Sequence, residues 1–235
     1  YQQGHFEEAI KSLEKAISIK SDYAEAYFNM GLVFQGQGLF EDAMIEFKKA
    51  LSLNSNYIEA HKELGNVLIH QNRYEEAITC YGHVIKSLPD DVEPHIRIGT
   101  ALHQQGRFED ALSAFKNAQK IKPECPEILH KISHALQKQG RLEEAITTLK
   151  EILVNHPNDV NAHNNIGAAL KDQGKFSEAI AAFNRTLALK PNHAKAHRNL
   201  SQLKNYSALD PQIKDMEVMY ADPELDGNSL CNLCF

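Results

Sequence analysis

The chain has 235 residues, of which 43% are hydrophobic and 24% are charged, as in an ordinary globular protein. Its formal net charge of −6 argues against a general nucleic-acid partner, since nucleic-acid binding requires a basic surface. No apolar run reaches the length of a membrane span, and the segment YQQGHFEEAI does not have the pattern of a signal peptide. The four cysteines match no disulfide framework, which favours a reducing compartment. We therefore expect a cytoplasmic protein with no membrane partner.

Residues of one class recur every 34 positions along the chain. Gly31, Gly65, Gly99 and Gly167 lie on this period, and Ser133 fills the remaining place. A column of small residues is made of Ala9, Ala43, Ala77, Ala111, Ala145 and Ala179. A column of turn residues is made of Gly4, Gly38, Asn72, Gly106, Gly140 and Gly174. A proline column is made of Pro89, Pro123, Pro157 and Pro191. Such a period indicates a repeat architecture.

Each period predicts two amphipathic helices, because its apolar residues are spaced by three and four. The turn column favours the left-handed backbone that ends a helix, and the proline column is expected to close the second helix and start the next. The small residues are expected to let the two helices cross closely. The predicted units, in chain order, are a partial unit at 1–23 that holds a second helix, full units at 24–57, 58–91, 92–125, 126–159 and 160–193, and a further first helix at 194–206.

The period fails after residue 206, and a different segment follows at 207–235. Asp210 and Pro211 predict the start of another helix, with aspartate as the cap and proline at the first position. The chain stops inside an apolar run that includes Leu230, so we expect more sequence to follow in a longer parent protein. We interpret 207–235 as a truncated helical linker or cap.

The segment AYFNMGLVFQGQGLFEDAMIEFKKALSLNSN, residues 26–56, resembles the tetratricopeptide repeat, and the likeness extends over residues 1 to about 206. The resemblance implies an all-α fold, an α-α superhelix or solenoid of antiparallel helix pairs. It also implies a protein-protein interaction module that binds a peptide or a partner domain, without cofactor, metal or catalytic residues. Self-association through the open ends of the array is a further expectation.

In this family the first helix of each pair lines a concave groove that holds the ligand. Carried over position by position, the resemblance implies a set of groove residues that are polar or basic. The predicted groove residues are Asn29, Lys62, Asn66, Arg97, His103, His130, Lys131, His134, Asn164, Asn165, Lys171, Lys195, Arg198 and Asn199.

The charges of this predicted groove change along the chain. Its early part is acidic with apolar patches, and its later part is basic and rich in amides. We hypothesise that an extended peptide binds with its acidic portion near Lys131, Lys195 and Arg198. The alternative is that these residues form only a solvated face of mixed charge. Lys62 and Asn66 match the start of a carboxylate-binding pattern, but later positions of that pattern do not match.

Two clusters resemble metal or redox motifs in spacing alone. His130 and His134 lie one helical turn apart near His103, but no glutamate and no fixed third ligand completes a zinc site. The pair Cys231 and Cys234 lacks a second pair, and core packing is the favoured interpretation. His61, His95, His163 and His197 share one repeat position and are interpreted as structural substitutes for an aromatic residue.

A different functional class stays open for the parent protein. The segment from residue 196 to 235 resembles the stretch that joins tetratricopeptide arrays to bacterial sulfotransferase domains. The array also resembles that of the O-linked N-acetylglucosamine transferases, whose grooves are lined by asparagines. Asn29, Asn165 and Asn199 fit that position, whereas Glu63, Arg97 and Lys131 interrupt it. The chain would then be the substrate-recruiting arm of a transferase, with a sulfotransferase favoured.

Overall fold

A computed structural model describes residues 2–204, 211–221 and 227, and these residues are helices joined by short turns. No strand occurs within those ranges. The helices are α1 (Gln2–Ile19), α2 (Ala24–Gly36), α3 (Phe40–Leu53), α4 (Ile58–His70), α5 (Tyr74–Ser87), α6 (Val92–Gln104), α7 (Phe108–Ile121), α8 (Pro126–Lys138), α9 (Leu142–Asn155), α10 (Val160–Asp172), α11 (Phe176–Leu189), α12 (Ala194–Ser201) and α13 (Pro211–Tyr220). The all-α fold of antiparallel helix pairs is therefore confirmed.

The turn inside each helix pair depends on a residue with positive φ. Gly38 has φ 77° and Asn72 has φ 60°, and the glycines of the three later pairs behave alike. Non-glycine residues rarely adopt this left-handed backbone, and asparagine tolerates it best. It lets the amide of Leu39 donate to the carbonyl of Phe34 at 2.9 Å, which satisfies one of the last carbonyls of α2. The predicted role of the turn column is confirmed from Gly38 onward, but it is wrong for Gly4, which lies inside α1.

The prediction that the proline column starts the next helix is wrong. Pro89 lies between the end of α5 at Ser87 and the start of α6 at Val92, and the other prolines of the column also lie in the turns between pairs. Two residues lie between each proline and the next helix, because the turn must first bring a capping residue into place. Pro126 does occupy a first helical position, in α8.

Within four of the helix pairs, a glycine of the first helix faces a large ring of the second. A Cβ atom added to Gly31 would lie 2.5 Å from a ring carbon of Phe47, and one added to Gly99 would lie 2.5 Å from Phe115. The same geometry places Gly65 against Tyr81 at 2.8 Å. Real Cβ atoms do not approach ring carbons so closely, so any larger residue must displace the ring. The predicted close crossing of the two helices is confirmed.

The pair of α8 and α9 departs from this arrangement at both positions together. Ser133 replaces the glycine and is completely buried, and its hydroxyl donates to the carbonyl of His130 at 2.8 Å. The facing residue is Leu149, also completely buried, where most other pairs hold an aromatic ring. A leucine is narrower than a phenylalanine ring, so it leaves room for the Cβ and hydroxyl of a serine.

The helices form two compact units, residues 1–123 and residues 124–235. In unit 1, a core cluster joins Phe47, Leu64 and Tyr81 from successive helices. In unit 2, a second cluster joins Leu149, Phe183 and Leu200. The alanine column is fully buried in both units, at Ala43, Ala77, Ala111, Ala145 and Ala179. Each unit thus contains its own continuous apolar core.

The last first helix of the array, α12, is shorter than the earlier first helices. Helix α12 ends at Ser201, eight residues after it begins, and α13 follows from Pro211 to Tyr220 with Met219 buried. The predicted apolar run at Leu230 and the pair Cys231 and Cys234 lie outside the described residues. None of the helices in the described ranges combines the length and apolar character that a membrane crossing needs.

Leu149→Phe tests the matched change in the pair of α8 and α9. We expect this substitution to lower the free energy of unfolding by roughly 1–3 kcal/mol, because the ring would overlap the side chain of Ser133. The double variant Ser133→Gly with Leu149→Phe restores the arrangement of the other pairs. It should be more stable than the sum of the single changes predicts, with a coupling of about 1 kcal/mol or more. Chemical denaturation of the four proteins measures the coupling, and strictly additive effects would contradict the proposed packing.

Candidate functional site

Within each unit, the first helices of neighbouring pairs are joined by hydrogen bonds of their side chains. In unit 1, the amide of Gln35 on α2 donates to Glu63 on α4 at 3.1 Å. In unit 2, the amide of Gln137 on α8 donates to the backbone carbonyl of Asn165 on α10 at 3.4 Å. We call the side formed by α2, α4 and α6 the first-helix face of unit 1. The side formed by α8, α10 and α12 is the first-helix face of unit 2.

Two predicted groove residues are held by a capping aspartate of the next pair. The ammonium of Lys62 donates to Asp91 at 2.6 Å, and the Nε2 atom of His130 lies 3.3 Å from Asp159. Each aspartate also caps its own helix, since Asp159 accepts from the amide of Ala162 at 2.7 Å. The pKa of each aspartate lies below its usual value, because its burial is outweighed by these donors.

Asp91, in unit 1, and Asp159, in unit 2, contact predicted groove residues, but the sequence patterns did not identify either aspartate as a site residue. Both lie directly before a first helix, at the repeat position that Tyr57 occupies in an earlier pair. An aspartate before an apolar helical pattern is a recognised capping signal, so the sequence did contain the clue. It gave no indication that the same carboxylate would also bind a cation of the preceding pair.

Lys171 binds two neutral acceptors on the next helix. Its ammonium donates to the amide oxygen of Asn199 at 3.0 Å and to that of Gln202 at 2.9 Å. Amide oxygens fix the position of an ammonium group without cancelling its charge. This differs from Lys62, whose charge is balanced by the carboxylate of Asp91.

The predicted amide residues differ in how far they reach the surface. Asn164 is buried, with 7% of its surface exposed, and its Nδ2 atom donates to Asn165 at 3.2 Å. Asn66 accepts a hydrogen bond of 2.7 Å from the hydroxyl of Tyr81, which is itself buried in the core of unit 1. A tyrosine ring in this aromatic column needs a partner for its hydroxyl, and Asn66 supplies it. Asn29, in contrast, is exposed on α2.

The remaining predicted residues form ion pairs or ring contacts, or lie exposed. Arg97 donates to Glu93 at 2.6 Å, and Lys131 lies 3.8 Å from Glu127, each one turn along its own helix. The ring of His103 packs edge-on against Phe108, with 5.1 Å between centroids. Lys195, Arg198 and His134 have exposed side chains.

A column of histidines contacts the turn before four of the first helices, α4, α6, α10 and α12. The Nε2 atom of His61 bonds the carbonyl of Ser55 at 2.9 Å, and His197 bonds the carbonyl of Pro191 at 2.8 Å. Tyr27 holds the same repeat position, and its hydroxyl donates to the carbonyl of Ser21 at 3.3 Å. The interpretation of these histidines as structural substitutes for an aromatic residue agrees with these contacts.

Within residues 2–204, 211–221 and 227, no group of three or more histidine, cysteine or acidic side chains is arranged to hold a metal. His130, one of the two closely spaced histidines, faces Asp159. Cys80 is buried, and burial raises the pKa of its thiol to about 11. A thiol with such a pKa is a poor nucleophile and metal ligand at neutral pH.

The first-helix faces of the two units differ in charge. At the positions that point to this face, unit 1 presents Glu25, Glu59, Glu63 and Glu93 against Lys62 and Arg97. At the same positions, unit 2 presents Lys131, Lys171, Lys195 and Arg198 against Glu127. On the face of unit 1, Lys62 and Arg97 each have a carboxylate partner at 2.6 Å. The face of unit 1 is therefore acidic, and the face of unit 2 is basic.

Family models described as tetratricopeptide or TPR repeats match most of the chain. The matched residues are 1–38, 24–57, 65–106, 102–169 and 160–193. These models end at residue 193 and do not reach the tail on which the sulfotransferase comparison rested. A comparison with curated protein sequences finds no match.

Several solved structures share the fold at low sequence identity. YrrB, described as a TPR protein with an unusual peptide-binding site, aligns with a TM-score of 0.68 and 21% identity, covering 82% of this chain and 99% of that chain. MamA aligns with a TM-score of 0.67 and 21% identity, covering 73% and 94%. PilF from Pseudomonas aeruginosa aligns with a TM-score of 0.64 and 20% identity, covering 86% and 91%. These likenesses concern the fold.

The histidine column predicts a loss of stability on mild acidification. The pKa of His61 is lowered, first by burial of its ring and also by the neighbouring His83, and burial likewise lowers the pKa of His95. A histidine with a lowered pKa in the folded state binds its proton more readily when the chain unfolds. Its stabilising effect is therefore complete above the unfolded pKa of about 6.5 and falls as the pH drops below that value.

His61→Tyr provides the matched comparison, since Tyr27 makes the equivalent hydrogen bond in the preceding pair. We expect the free energy of unfolding of the variant to fall less between pH 7 and pH 5 than that of the original chain. Denaturant titrations at several pH values measure both slopes. Equal slopes for the two proteins would contradict the proposed contribution of His61.

Proposed function

Since the chain belongs to the tetratricopeptide-repeat family, we propose that it is a protein-interaction module whose unit 2 binds an acidic segment of a partner protein. The binding surface is the first-helix face of unit 2. The observation that carries this proposal is the excess of basic side chains on that face. Lys131, Lys171, Lys195 and Arg198 outnumber the carboxylates of Glu127 and Asp159 on that face.

The state of these basic groups supports the recognition of a negatively charged ligand. Lys171 keeps its full charge, because Asn199 and Gln202 hold it through neutral amide oxygens. Fixing a charged side chain before binding also reduces the entropy that binding must cost. Lys131 lies 3.8 Å from Glu127, whose side chain is 65% exposed, so this pair is weak and easily exchanged for a ligand carboxylate.

The amide groups around these cations suit an extended backbone. Asn165 is half-buried between α8 and α12, and Asn199 is half-buried beside it. Amides can both donate to and accept from peptide groups, so they complement a chain whose acidic side chains reach the cations. YrrB, which shares this fold, is described as having a peptide-binding site, and that description is consistent with an equivalent use of the fold here.

Charge reversal on the face tests this proposal. Labelled twelve-residue peptides that contain glutamate in a glycine and serine background serve as probes, and fluorescence anisotropy measures the dissociation constant. Lys131→Glu combined with Arg198→Glu should weaken binding at least about tenfold, because two attractions become repulsions. Binding by the original chain should also weaken as salt is added.

Lys150→Glu is the control, because Lys150 is exposed on the second helix α9 of the same unit. The affinity of the Lys150→Glu variant for the acidic probes should match that of the original chain. Thermal unfolding establishes that each variant remains folded, and the neutral pair Lys131→Gln with Arg198→Gln should give an intermediate affinity. Unchanged binding by the folded charge-reversed variant would overturn the proposal.

A further inference from the structure

The first-helix face of unit 1 contains an exposed apolar and acidic surface between α2 and α4. We call this surface the α2–α4 patch, and it consists of Glu25, Phe28, Leu32, Tyr57 and Glu59. The three residues on α2 follow one another along one side of that helix, at spacings of three and four. Tyr57 and Glu59 stand at the start of α4. The patch is thus formed by two adjacent repeats.

The apolar part of the patch is anchored in the core but reaches the surface. The ring of Phe28 packs against Phe47, with 5.7 Å between centroids, and against Tyr57 at 4.9 Å. Leu32 lies one turn farther along α2 and keeps 38% of its surface exposed. A leucine held at this exposure on a rigid helix presents a fixed apolar contact to a partner.

The acidic part of the patch surrounds the phenol of Tyr57. The pKa of Tyr57 is raised, first by partial burial and then by the negative charges of Glu25 and Glu59. Glu25 and Glu59 are exposed. Neighbouring Glu63 accepts hydrogen bonds from the neutral amides of Gln35 and Asn66 and so keeps its negative charge.

No nearby lysine neutralises these carboxylates through a contact seen in the described part of the face. Lys62, on the same side of α4, donates to Asp91 instead. Two tyrosine rings outside the patch, one before α2 and one on α2, lie near ammonium groups of the chain itself. Lys20 lies 5.3 Å from the ring centroid of Tyr23, and Lys49 lies 5.6 Å from that of Tyr27. The region therefore combines negative charge with ring faces, both of which favour cations.

We propose that the α2–α4 patch docks a basic segment of a partner protein, in which a lysine or arginine and an apolar residue are about three residues apart. The cation would lie between Glu25 and Glu59, and the apolar side chain would lie on Leu32 and Phe28. The inference rests on the proposed function in one respect, because both assume that ligands bind to the first-helix faces. Its ligand has the opposite charge to the ligand of unit 2.

The spacing follows from the geometry of α2. Glu25 and Leu32 are seven residues apart on a helix, which corresponds to about 10 Å along its axis. An extended peptide advances roughly 3.3 Å per residue, so about three residues of ligand span this distance. A ligand with the cation and the apolar residue directly adjacent cannot reach both parts of the patch at once.

Short synthetic peptides test both the chemistry and the spacing. One probe places arginine and leucine three residues apart in a glycine and serine background, and a second carries the same pair in reverse order. The third probe has arginine and leucine adjacent, and the fourth replaces arginine by glutamate. We expect the better of the first two probes to bind at least about fivefold more tightly than the third and the fourth. Equal binding of all four would overturn the proposal.

Variants of the full chain locate the site. Glu25→Lys with Glu59→Lys should weaken binding of the basic probe at least about tenfold, and Leu32→Ser should weaken it severalfold. The matched control is Glu7→Lys with Glu14→Lys, since both residues are exposed on α1, away from the face. Thermal unfolding checks every variant, and Glu25→Gln with Glu59→Gln gives a second, milder version. A folded charge-reversed variant that binds as well as the original chain would contradict the inference.

The acidic probes of unit 2 separate this inference from the proposed function. Glu25→Lys with Glu59→Lys should leave their affinity within about twofold, and Lys131→Glu with Arg198→Glu should leave the basic probe equally unaffected. If the original chain binds the basic probe but not the acidic probes, the proposed function is rejected and the inference is retained. If it binds the acidic probes but not the basic probe, the inference is rejected and the proposed function is retained. If a second copy of the chain covered the patch, the original chain would elute as a dimer in size-exclusion chromatography, and the variant with Glu25→Lys and Glu59→Lys would elute as a monomer. This result would also overturn the inference.

Discussion

The close approach of a glycine to an aromatic ring inside four of the helix pairs is the constraint on which the molecule depends. A Cβ at Gly31, Gly65, Gly99 or Gly167 would lie between 2.5 and 2.8 Å from the facing ring. The ring fills the space that the absent side chain leaves, and it becomes part of the core of its unit. Since the crossing fixes how the two helices lie, it also fixes which side chains of the first helix remain at the surface.

Polar contacts between neighbouring first helices then set the chemistry of that surface. Gln35 reaches Glu63, Lys62 reaches Asp91, and Lys171 reaches Asn199, in each case from one pair to the next. These contacts order long side chains before any ligand arrives, which lowers the entropic cost of binding. They also show that a residue at a groove position is not thereby available to a ligand, because its charge or hydrogen bonds can already serve the contact between repeats.

The sequence was sufficient to predict the fold, since the period of small and turn residues depends on local sterics. Asn72 illustrates this, because its conformation follows from its place in the turn column alone. The state of each candidate site residue was much less predictable. Nothing local to Lys62 reveals its bond to Asp91, which is 29 residues away, and nothing local to Asn164 reveals its burial. The proline column was misplaced because its spacing alone does not separate a turn residue from a first helical residue.

The identity of the acceptor, rather than the number of lysines, decides which face attracts which ligand. Lys62 and Lys171 both occupy first helices and both reach the next helix, but one meets a carboxylate and the other meets two amides. A carboxylate cancels the field of an ammonium group at the distance of a ligand, whereas an amide leaves most of that field in place. The acidic face of unit 1 and the basic face of unit 2 therefore arise from the residues at the helix caps and the array end as much as from the basic residues themselves. The repeat can keep its core unchanged while single substitutions at these acceptor positions alter the charge that each unit presents to a partner.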